Sequence, residues 1–177
     1  MKVIHHSENN IAFKYAAKYH LAKDGYLNPS SAKVNRELKR TLDRIKAQQQ
    51  LAIEQDKVSF GNNCQALVYL DDDSREIAHL TYTVIVGMHI VRTMFVAPEL
   101  RGQGFGTKIL KEFQSRHEDS AIEITQEDIR ELRAFYHNLG YESVGRGLFP
   151  NNLVMVKSED QYNRFVERLE PVLNPKG

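Results

Sequence analysis

The stretch from 96 to 110, "VAPELRGQGFGTKIL", constrains the fold more than any other part of the sequence. Three glycines occupy alternate positions in it, directly before an amphipathic run: Gly102, Gly104 and Gly106. A β-branched segment precedes them and ends at Pro98, which has no N–H to give to a central ladder. Because glycine at this density costs entropy on folding, the pattern predicts a strand, a tight turn, and a helix whose first turn is left open.

An open first turn of a helix can bind phosphate. Its N–H groups are unpaired and carry a positive partial charge, and glycines remove the side chains that would block a ligand. Two common phosphate loops do not fit, because the P-loop and the Gly-x-Gly-x-x-Gly fingerprint, started at Gly102, both require glycine where Thr107 stands. The pattern that fits is Arg-x-x-Gly-x-Gly, from Arg101, Gly104 and Gly106, with Arg101 as a cation at the rim. The other interpretation is a tight turn that happens to be rich in glycine.

The rest of the chain alternates between helical and strand patterns. Residues 10–23 and 31–56 predict two helices, the second with a narrow apolar stripe and Ser31 as N-cap. Strands follow at "CQALVYL", "IAHLTYTVIV" and "HIVRTMFVAP", with turns at "DDDSRE" and Gly87-Met88. After the glycine-rich helix come the strand "SAIEIT", a helix capped by Thr125 and ended by Gly140, and the strands "YESVG" and "NLVMVK", which a loop with Pro150 joins. A last helix ends before Pro171, and His5-His6 is interpreted as a mobile terminus. This order predicts an α/β protein.

The composition restricts the cellular location expected for the protein more than it restricts its function. At 177 residues the chain is predicted to form one domain. It has no apolar run of about 18 residues and no signal-peptide pattern at its start, and Cys64 is its only cysteine. We therefore expect a cytoplasmic protein without a membrane partner. Residues 1–60 hold 11 Lys and Arg against 6 Asp and Glu, a surplus that we interpret mainly as solvated helix faces.

Two motifs together resemble the GNAT superfamily of N-acetyltransferases. "TMFVAPELRGQGFGTKILKEF" is similar to its acyl-CoA-binding motif, and "AFYHNLGY" resembles its later helix, with Tyr136 four residues before the pair Gly140 and Tyr141. The resemblance covers roughly residues 62–157. It implies a three-layer α/β fold, in which helices flank a central mixed, mostly antiparallel sheet with a splayed parallel pair. Residues 1–60 would then be a helical segment on the acceptor side, and 158–177 would hold a C-terminal helix.

The resemblance also implies a site. The backbone of Met94, Phe95 and Val96 would pair with the pantetheine arm of acetyl-CoA, and the "AIEI" strand would form the other lip of the gap that admits the thioester. Tyr136 would protonate the departing thiolate, although a tyrosine on this apolar stripe also suits a core. The pyrophosphate would bind the N–H groups of seven consecutive residues: Arg101, Gly102, Gln103, Gly104, Phe105, Gly106 and Thr107.

Some features of the family are missing. The strand "MHIVRTMFV" carries no carboxylate, only His89 and Arg92, so the general base is left open between His89, Glu123 on the following strand and a chain of waters. Ile129 stands where many members have an asparagine, which removes one expected side-chain contact to the cofactor arm. The seven histidines show no spacing typical of a zinc site, and no metal is expected.

The predicted activity is transfer of an acetyl group from acetyl-CoA to a primary amine, by direct attack. The acceptor, a small molecule or a protein, is left open, as is a homodimer. A second hypothesis is a non-catalytic sensor that binds acyl-CoA. A third, nucleic-acid binding by the basic helix at 33–46, is disfavoured because Glu37 and Asp43 interrupt its positive charge and few aromatic residues are available for stacking.

Overall fold

The computed structural model describes residues 1–7, 15, 40, 64–146 and 152–173. Tyr15 and Arg40 are helical. The remainder of the two helices predicted for residues 10–23 and 31–56, and the predicted loop with Pro150, lie outside the described residues. None of the described helices is long and apolar enough to cross a membrane.

The described residues form one seven-stranded sheet with the order β1-β2-β3-β4-β5-β7-β6. Among the described strands only β4 and β5 pair in parallel, so the prediction of a mixed, mostly antiparallel sheet with one parallel pair is confirmed. The strands are β1 (Lys2–His6), β2 (Cys64–Leu70), β3 (Glu76–Ile85), β4 (Met88–Val96), β5 (Ser120–Thr125), β6 (Glu142–Arg146) and β7 (Asn152–Val156).

The first strand corrects the prediction of a mobile terminus at His5-His6. Residues 2–6 pair antiparallel with β2, from Lys2 opposite Leu70 to His6 opposite Ala66. The imidazole of His5 lies 2.5 Å from the hydroxyl of Tyr82 and stacks on its ring. Backbone pairing and this contact hold the segment as an edge strand, so the part of the chain before residue 60 is not helical throughout.

The turn between β3 and β4 is one residue earlier than predicted. Val86 and Gly87 both have positive φ, 49° and 78°, and Met88 already belongs to β4. Two consecutive residues with positive φ make the turn whose twist matches that of the paired strands. The polar turn predicted at "DDDSRE" is confirmed, since the Asp71 carboxylate accepts hydrogen bonds from the backbone N–H groups of Asp73 and Arg75.

A short 3₁₀ turn, Pro98–Leu100, connects β4 to the glycines, and helix α1 spans Phe105–Arg116. Helix α2 spans Gln126–Asn138, with both ends as predicted. The Thr125 hydroxyl accepts from the Asp128 N–H at 3.1 Å. At the other end Gly140 has φ 88°, and the N–H groups of Gly140 and Tyr141 bond back to His137 and Tyr136. This is the Schellman ending that a glycine at C′ allows.

Helix α3 spans Glu159–Leu173 and therefore continues through Pro171, where the sequence predicted an end. A proline removes one intrahelical hydrogen bond and crowds the preceding turn. Near the C-terminus of a helix, the free energy lost in this way is small compared with the free energy gained when the helix buries its apolar face. Phe165 and Leu169 of α3 are 3% and 0% exposed.

Two apolar clusters lie on opposite faces of the sheet, which gives three layers. On one face Ile109, Leu110 and Phe113 of α1, together with Tyr136 of α2, pack against the strands. On the other face Phe165 and Leu169 of α3 pack against Ile90, Ala121 and Val154. Neighbouring residues of β4 and β5 therefore face different layers, as alternation along a strand requires.

Candidate functional site

The parallel strands β4 and β5 are paired along only part of their lengths. Three residue pairs join them, His89 to Ser120, Ile90 to Ala121 and Val91 to Ile122. Beyond these pairs β4 runs on to Val96 and β5 to Thr125, each paired on its outer side, with β3 and β7. We call the gap between β4 residues 92–96 and β5 residues 123–125 the fork.

A β-bulge marks the point where the fork opens. Thr81 of β3 lies opposite Thr93, and the next residue, Tyr82, lies opposite Val91. Arg92 is therefore the extra residue in β4, and its backbone is outside the regular ladder. Bulges change the direction of a strand and increase its twist, which accounts for the separation of β4 from β5 directly after Val91.

The glycine-rich loop lies at the end of β4 and leads into α1. We call residues 101–107 the cradle. Gly104 is the N-cap of α1, with φ 84° and ψ 8°, and no side chain caps the helix. The first intrahelical bond runs from the Lys108 N–H to the Gly104 carbonyl, so the amides of residues 105–107 precede it.

The space around the cradle is open. A Cβ placed on Gly102 or Gly104 would meet no atom within 4 Å, and residues 101–104 are exposed. The positive φ values of both glycines suit a residue without a side chain. An uncapped helix N-terminus behind an exposed glycine loop has the shape and the partial charge that bind phosphate groups.

Arg101 is held at the end of β4. Its Nε donates to the Val96 carbonyl at 3.0 Å, and its guanidinium lies 5.6 Å from the centre of the Phe95 ring. Among the other residues predicted to bind the cofactor, Met94, Val96 and Phe105 pack against the larger apolar cluster. Gln103 is exposed and Thr107 half-buried.

Tyr136 is 5% exposed and packs edge-on against Phe135 and Tyr141. Burial raises the pKa of the Tyr136 phenol far above its ordinary value, and the negative charge of Asp128 adds to the effect. The phenol therefore keeps its proton at neutral pH. Phe135 of the same helix lies near Gly106 of the cradle, so the turn of α2 that carries Tyr136 is next to the start of α1.

Sequence reasoning missed a charged cluster at the opening of the fork. The Glu123 side chain is only 2% exposed, and one of its oxygens accepts from Arg92 Nη1 at 3.0 Å. Its other oxygen accepts from Asn152 Nδ2 at 3.1 Å. In the sequence the sign of this contact is weak, since it consists only of a charged residue on each of two adjacent apolar strands, Arg92 on β4 and Glu123 on β5.

His89, the other candidate base, lies away from the fork. It belongs to the paired end of β4, where its ring stacks on that of His117 with centroids 3.9 Å apart. Burial lowers the pKa of His89, and it lowers that of His117 to about 4, with the charges of His89, His5 and Arg116 acting in the same direction. Within the part of the chain that the structure describes, no group of three or more His, Cys, Asp or Glu is arranged to hold a metal.

Residues 62–143 match the family model of the acetyltransferase (GNAT) domain. This part of the chain is similar to a GNAT domain. Its fork and cradle lie within the matched residues, as does Tyr136. No curated protein sequence matches the chain.

Solved structures share the fold. The PaiA N-acetyltransferase from Thermoplasma acidophilum, solved in complex with coenzyme A, gives a TM-score of 0.53 over 88% of this chain and 98% of its own, at 11% identity. An acetyltransferase of the GNAT family from Staphylococcus aureus gives 0.52 over 87% and 98%, at 13% identity. The ribosomal-protein-S18-alanine N-acetyltransferase from Escherichia coli gives 0.50 over 87% and 92%, at 16% identity. The predicted GNAT-like fold is thereby confirmed.

Proposed function

We propose that this protein is an N-acetyltransferase that transfers the acetyl group of acetyl-CoA directly to a primary amine. The observation that carries the proposal is the fork, which opens beside an uncapped helix N-terminus within the residues similar to a GNAT domain. A pantetheine arm requires an unpaired strand edge, and a diphosphate requires free N–H groups. The fork and the cradle supply both, next to each other.

The residues present fit a coenzyme A group. Backbone groups of Met94, Phe95 and Val96, on the side of β4 that faces the fork, would bind the pantetheine amides as an added strand. The amides of residues 102–107 of the cradle would hold the diphosphate, whereas the Arg101 N–H, also predicted as a donor, already bonds to the Pro98 carbonyl at 3.4 Å. Arg101 is fixed beside them by its bond to the Val96 carbonyl, so its positive charge remains close to that anion.

The bound thioester supplies an acyl carbon activated for attack. In the proposed reaction the acceptor nitrogen forms a bond to that carbon while the carbon–sulfur bond breaks. A backbone N–H of the bulge at Arg92 donates to the acyl oxygen as negative charge develops on it. Tyr136, buried and protonated, gives its proton to the departing sulfur. The acceptor nitrogen must also lose a proton, and no residue is assigned to take it.

The test has two stages. Isothermal titration calorimetry should show binding of coenzyme A and acetyl-CoA, and absence of binding to either would overturn the cofactor site. Thiol release from acetyl-CoA, followed with a chromogenic thiol reagent over a panel of amines, then tests the transfer. Binding without amine-dependent thiol release would support the non-catalytic sensor instead, and Tyr136→Phe would then leave every measured property unchanged.

A further inference from the structure

Helices α1 and α2 carry different parts of the proposed site. The cradle lies at the N-terminus of α1, and Tyr136 lies near the C-terminus of α2. The proposed reaction needs both at once, since the diphosphate binds the cradle while the departing sulfur takes its proton from Tyr136. The spacing of the two helices therefore decides whether the phenol meets the sulfur, and an error of about 1 Å in such a placement can cost about 100-fold in rate.

Tyr141, which follows the end of α2, joins the two helices. Its backbone N–H donates to the Tyr136 carbonyl at 3.0 Å, and its ring packs edge-on against the Tyr136 ring, with centroids 6.1 Å apart. Its hydroxyl accepts a hydrogen bond from Gln114 Nε2 of α1. One residue thus contacts the backbone and the ring of the proposed proton donor and also the helix that begins at the cradle.

The Tyr141 side chain is held in one place and in one protonation state. It is 1% exposed, and Lys157 Nζ lies 5.5 Å from the centre of its ring. Burial raises the pKa of the Tyr141 phenol, and negative charge on Tyr136 would raise it further. The Tyr141 hydroxyl therefore keeps its proton at neutral pH, while its oxygen accepts the hydrogen bond from the Gln114 amide.

This hydrogen bond fixes the helices in a way that apolar contact does not. Phe135 of α2 lies near Gly106 at the start of α1, but the burial of apolar surface is non-directional. A hydrogen bond weakens steeply when its length or its angle changes. The bond between Gln114 and Tyr141 therefore resists sliding of α2 along α1, and so resists a change in the distance between Tyr136 and the cradle.

We propose that Tyr141 is a positioning residue, which through its bond to Gln114 holds the Tyr136 phenol at the distance from the cradle that the proton transfer requires. This inference rests on the proposed function and adds a residue to the same site. Tyr141 acts only through Tyr136. Its hydroxyl therefore influences the rate of the chemical step and not the binding of the cofactor.

A double-mutant cycle tests this role. Tyr141→Phe keeps the ring and the backbone bond but removes the hydroxyl, and Gln114→Met removes the donor. We expect each to lower kcat roughly tenfold and to keep the calorimetric affinity for acetyl-CoA within about twofold of the wild type, since a lost positioning contact acts on the transition state. In a Tyr136→Phe background neither substitution should lower kcat further, because the phenol that they position is gone.

Tyr69→Phe is the matched control. Tyr69 is also 1% exposed, and its hydroxyl donates to the Lys108 carbonyl of α1 at 3.2 Å. In the part of the chain that the structure describes, it forms no hydrogen bond or ring contact with Tyr136. Whatever change Tyr69→Phe makes in kcat should therefore be the same in the wild-type and Tyr136→Phe backgrounds.

Nuclear magnetic resonance gives a readout that does not depend on activity. In protein with isotope-labelled tyrosine and without ligand, the ring signal of Tyr136 is assigned by its loss in Tyr136→Phe. Because Gln114→Met removes the contact that holds Tyr141 to α1, the Tyr136 signal should shift in this variant. It should stay at its wild-type position in Tyr69→Phe.

Several results would overturn the proposal. These are an equal loss of kcat from Tyr141→Phe in both backgrounds, wild-type kcat or an unshifted Tyr136 signal in Gln114→Met, acetyl-CoA binding weakened as much as kcat, and equal coupling of Tyr69 to Tyr136. Failure of the proposed function is distinguishable, because the wild type would then bind no acetyl-CoA or release no thiol. Unchanged kcat in Tyr136→Phe would remove the proton donor, and the positioning role with it.

Discussion

Alanine in place of Gly104 or Gly106 makes the same chemical change two residues apart and should have opposite effects on stability. Gly104 has φ 84°, and a Cβ there would touch nothing within 4 Å, so the cost comes only from the backbone. A left-handed conformation costs an L-residue about 1–2 kcal/mol, of which about 0.4–1 kcal/mol is offset by the lower entropy of the unfolded chain. We expect Gly104→Ala to lower the free energy of unfolding by about 1 kcal/mol.

Gly106 lies in the first turn of α1, in helical conformation. A Cβ there would meet Phe135 at 3.5 Å, Val96 at 3.7 Å and Met94 at 3.8 Å, which are ordinary van der Waals distances. Alanine is favoured over glycine inside a helix by up to about 1 kcal/mol. Gly106→Ala should therefore raise the free energy of unfolding by about 0.5–1 kcal/mol, and the two variants should differ by nearly 2 kcal/mol.

Cofactor binding should separate the same two variants. Relief of strain at Gly104 moves the amides that follow it, and one misaligned charge-assisted hydrogen bond costs about 1.5–3 kcal/mol, which weakens coenzyme A binding by roughly 10- to 100-fold. Gly106→Ala should keep the affinity within about threefold, because its Cβ points toward β4 and α2 and away from the open side of the loop. Urea titrations followed by circular dichroism give the stabilities, and calorimetry gives the affinities. Equal stability changes in the two variants, or wild-type affinity in Gly104→Ala, would refute this reasoning.

Three further predictions concern single residues. Tyr136→Phe should lower kcat about 10²- to 10⁴-fold without changing coenzyme A affinity. Because burial raises the pKa of the Tyr136 phenol, the wild-type rate should not fall through its ionisation up to about pH 10. An unchanged kcat of the variant at every pH would exclude Tyr136 as the proton donor. Thr125→Ala should lower the free energy of unfolding, measured by urea titration, by about 1 kcal/mol through loss of the α2 cap. Thr125→Ser keeps a capping hydroxyl and should retain most of that stability. An equal loss in both variants would contradict a capping role. The pKa of His117 in the folded protein, about 4, lies below its value in the unfolded chain, so the free energy of unfolding should decrease as the pH falls from about 6.5 toward 4. Between pH 7 and 5 we expect a decrease of about 1 kcal/mol, after allowance for the partial exposure of the ring. His117→Gln should flatten this pH dependence.

The features that sequence predicted correctly depend on neighbouring residues. Thr125 caps α2 through a residue three positions on, and Gly140 ends it through bonds to the preceding turn. The uncapped start of α1 likewise follows from glycine at position 104. Local backbone chemistry decides each of these, and a short stretch of sequence contains all of it.

The features that were missed depend on partners distant in the chain. Residues 2–6 become a strand because β2, some 60 residues later, has an edge to which they can pair. The bulge at Arg92 results from the register of β4 against β3, and no residue type at this position predicts it. The contact between Arg92 and Glu123 exists only where the β4–β5 pairing stops. The sequence shows that each of the two strands carries a charged residue and where it lies along the strand, but it does not show that the two side chains are close together.

The short junction between β4 and β5 makes the geometry of the fork sensitive to changes at the opposite, paired end of the two strands. Only three residue pairs, at 89–91 and 120–122, fix the angle between the two strands, while β4 extends about 16 Å further, at roughly 3.3 Å per residue. A rotation of about 5° at that junction would displace the far end of β4 by about 1.4 Å, and errors of about 1 Å in the placement of reacting groups can cost about 100-fold in rate. Substitutions of His89, which belongs to the junction, or of His117, which stacks on it, should therefore alter turnover from a distance, without contact to either substrate.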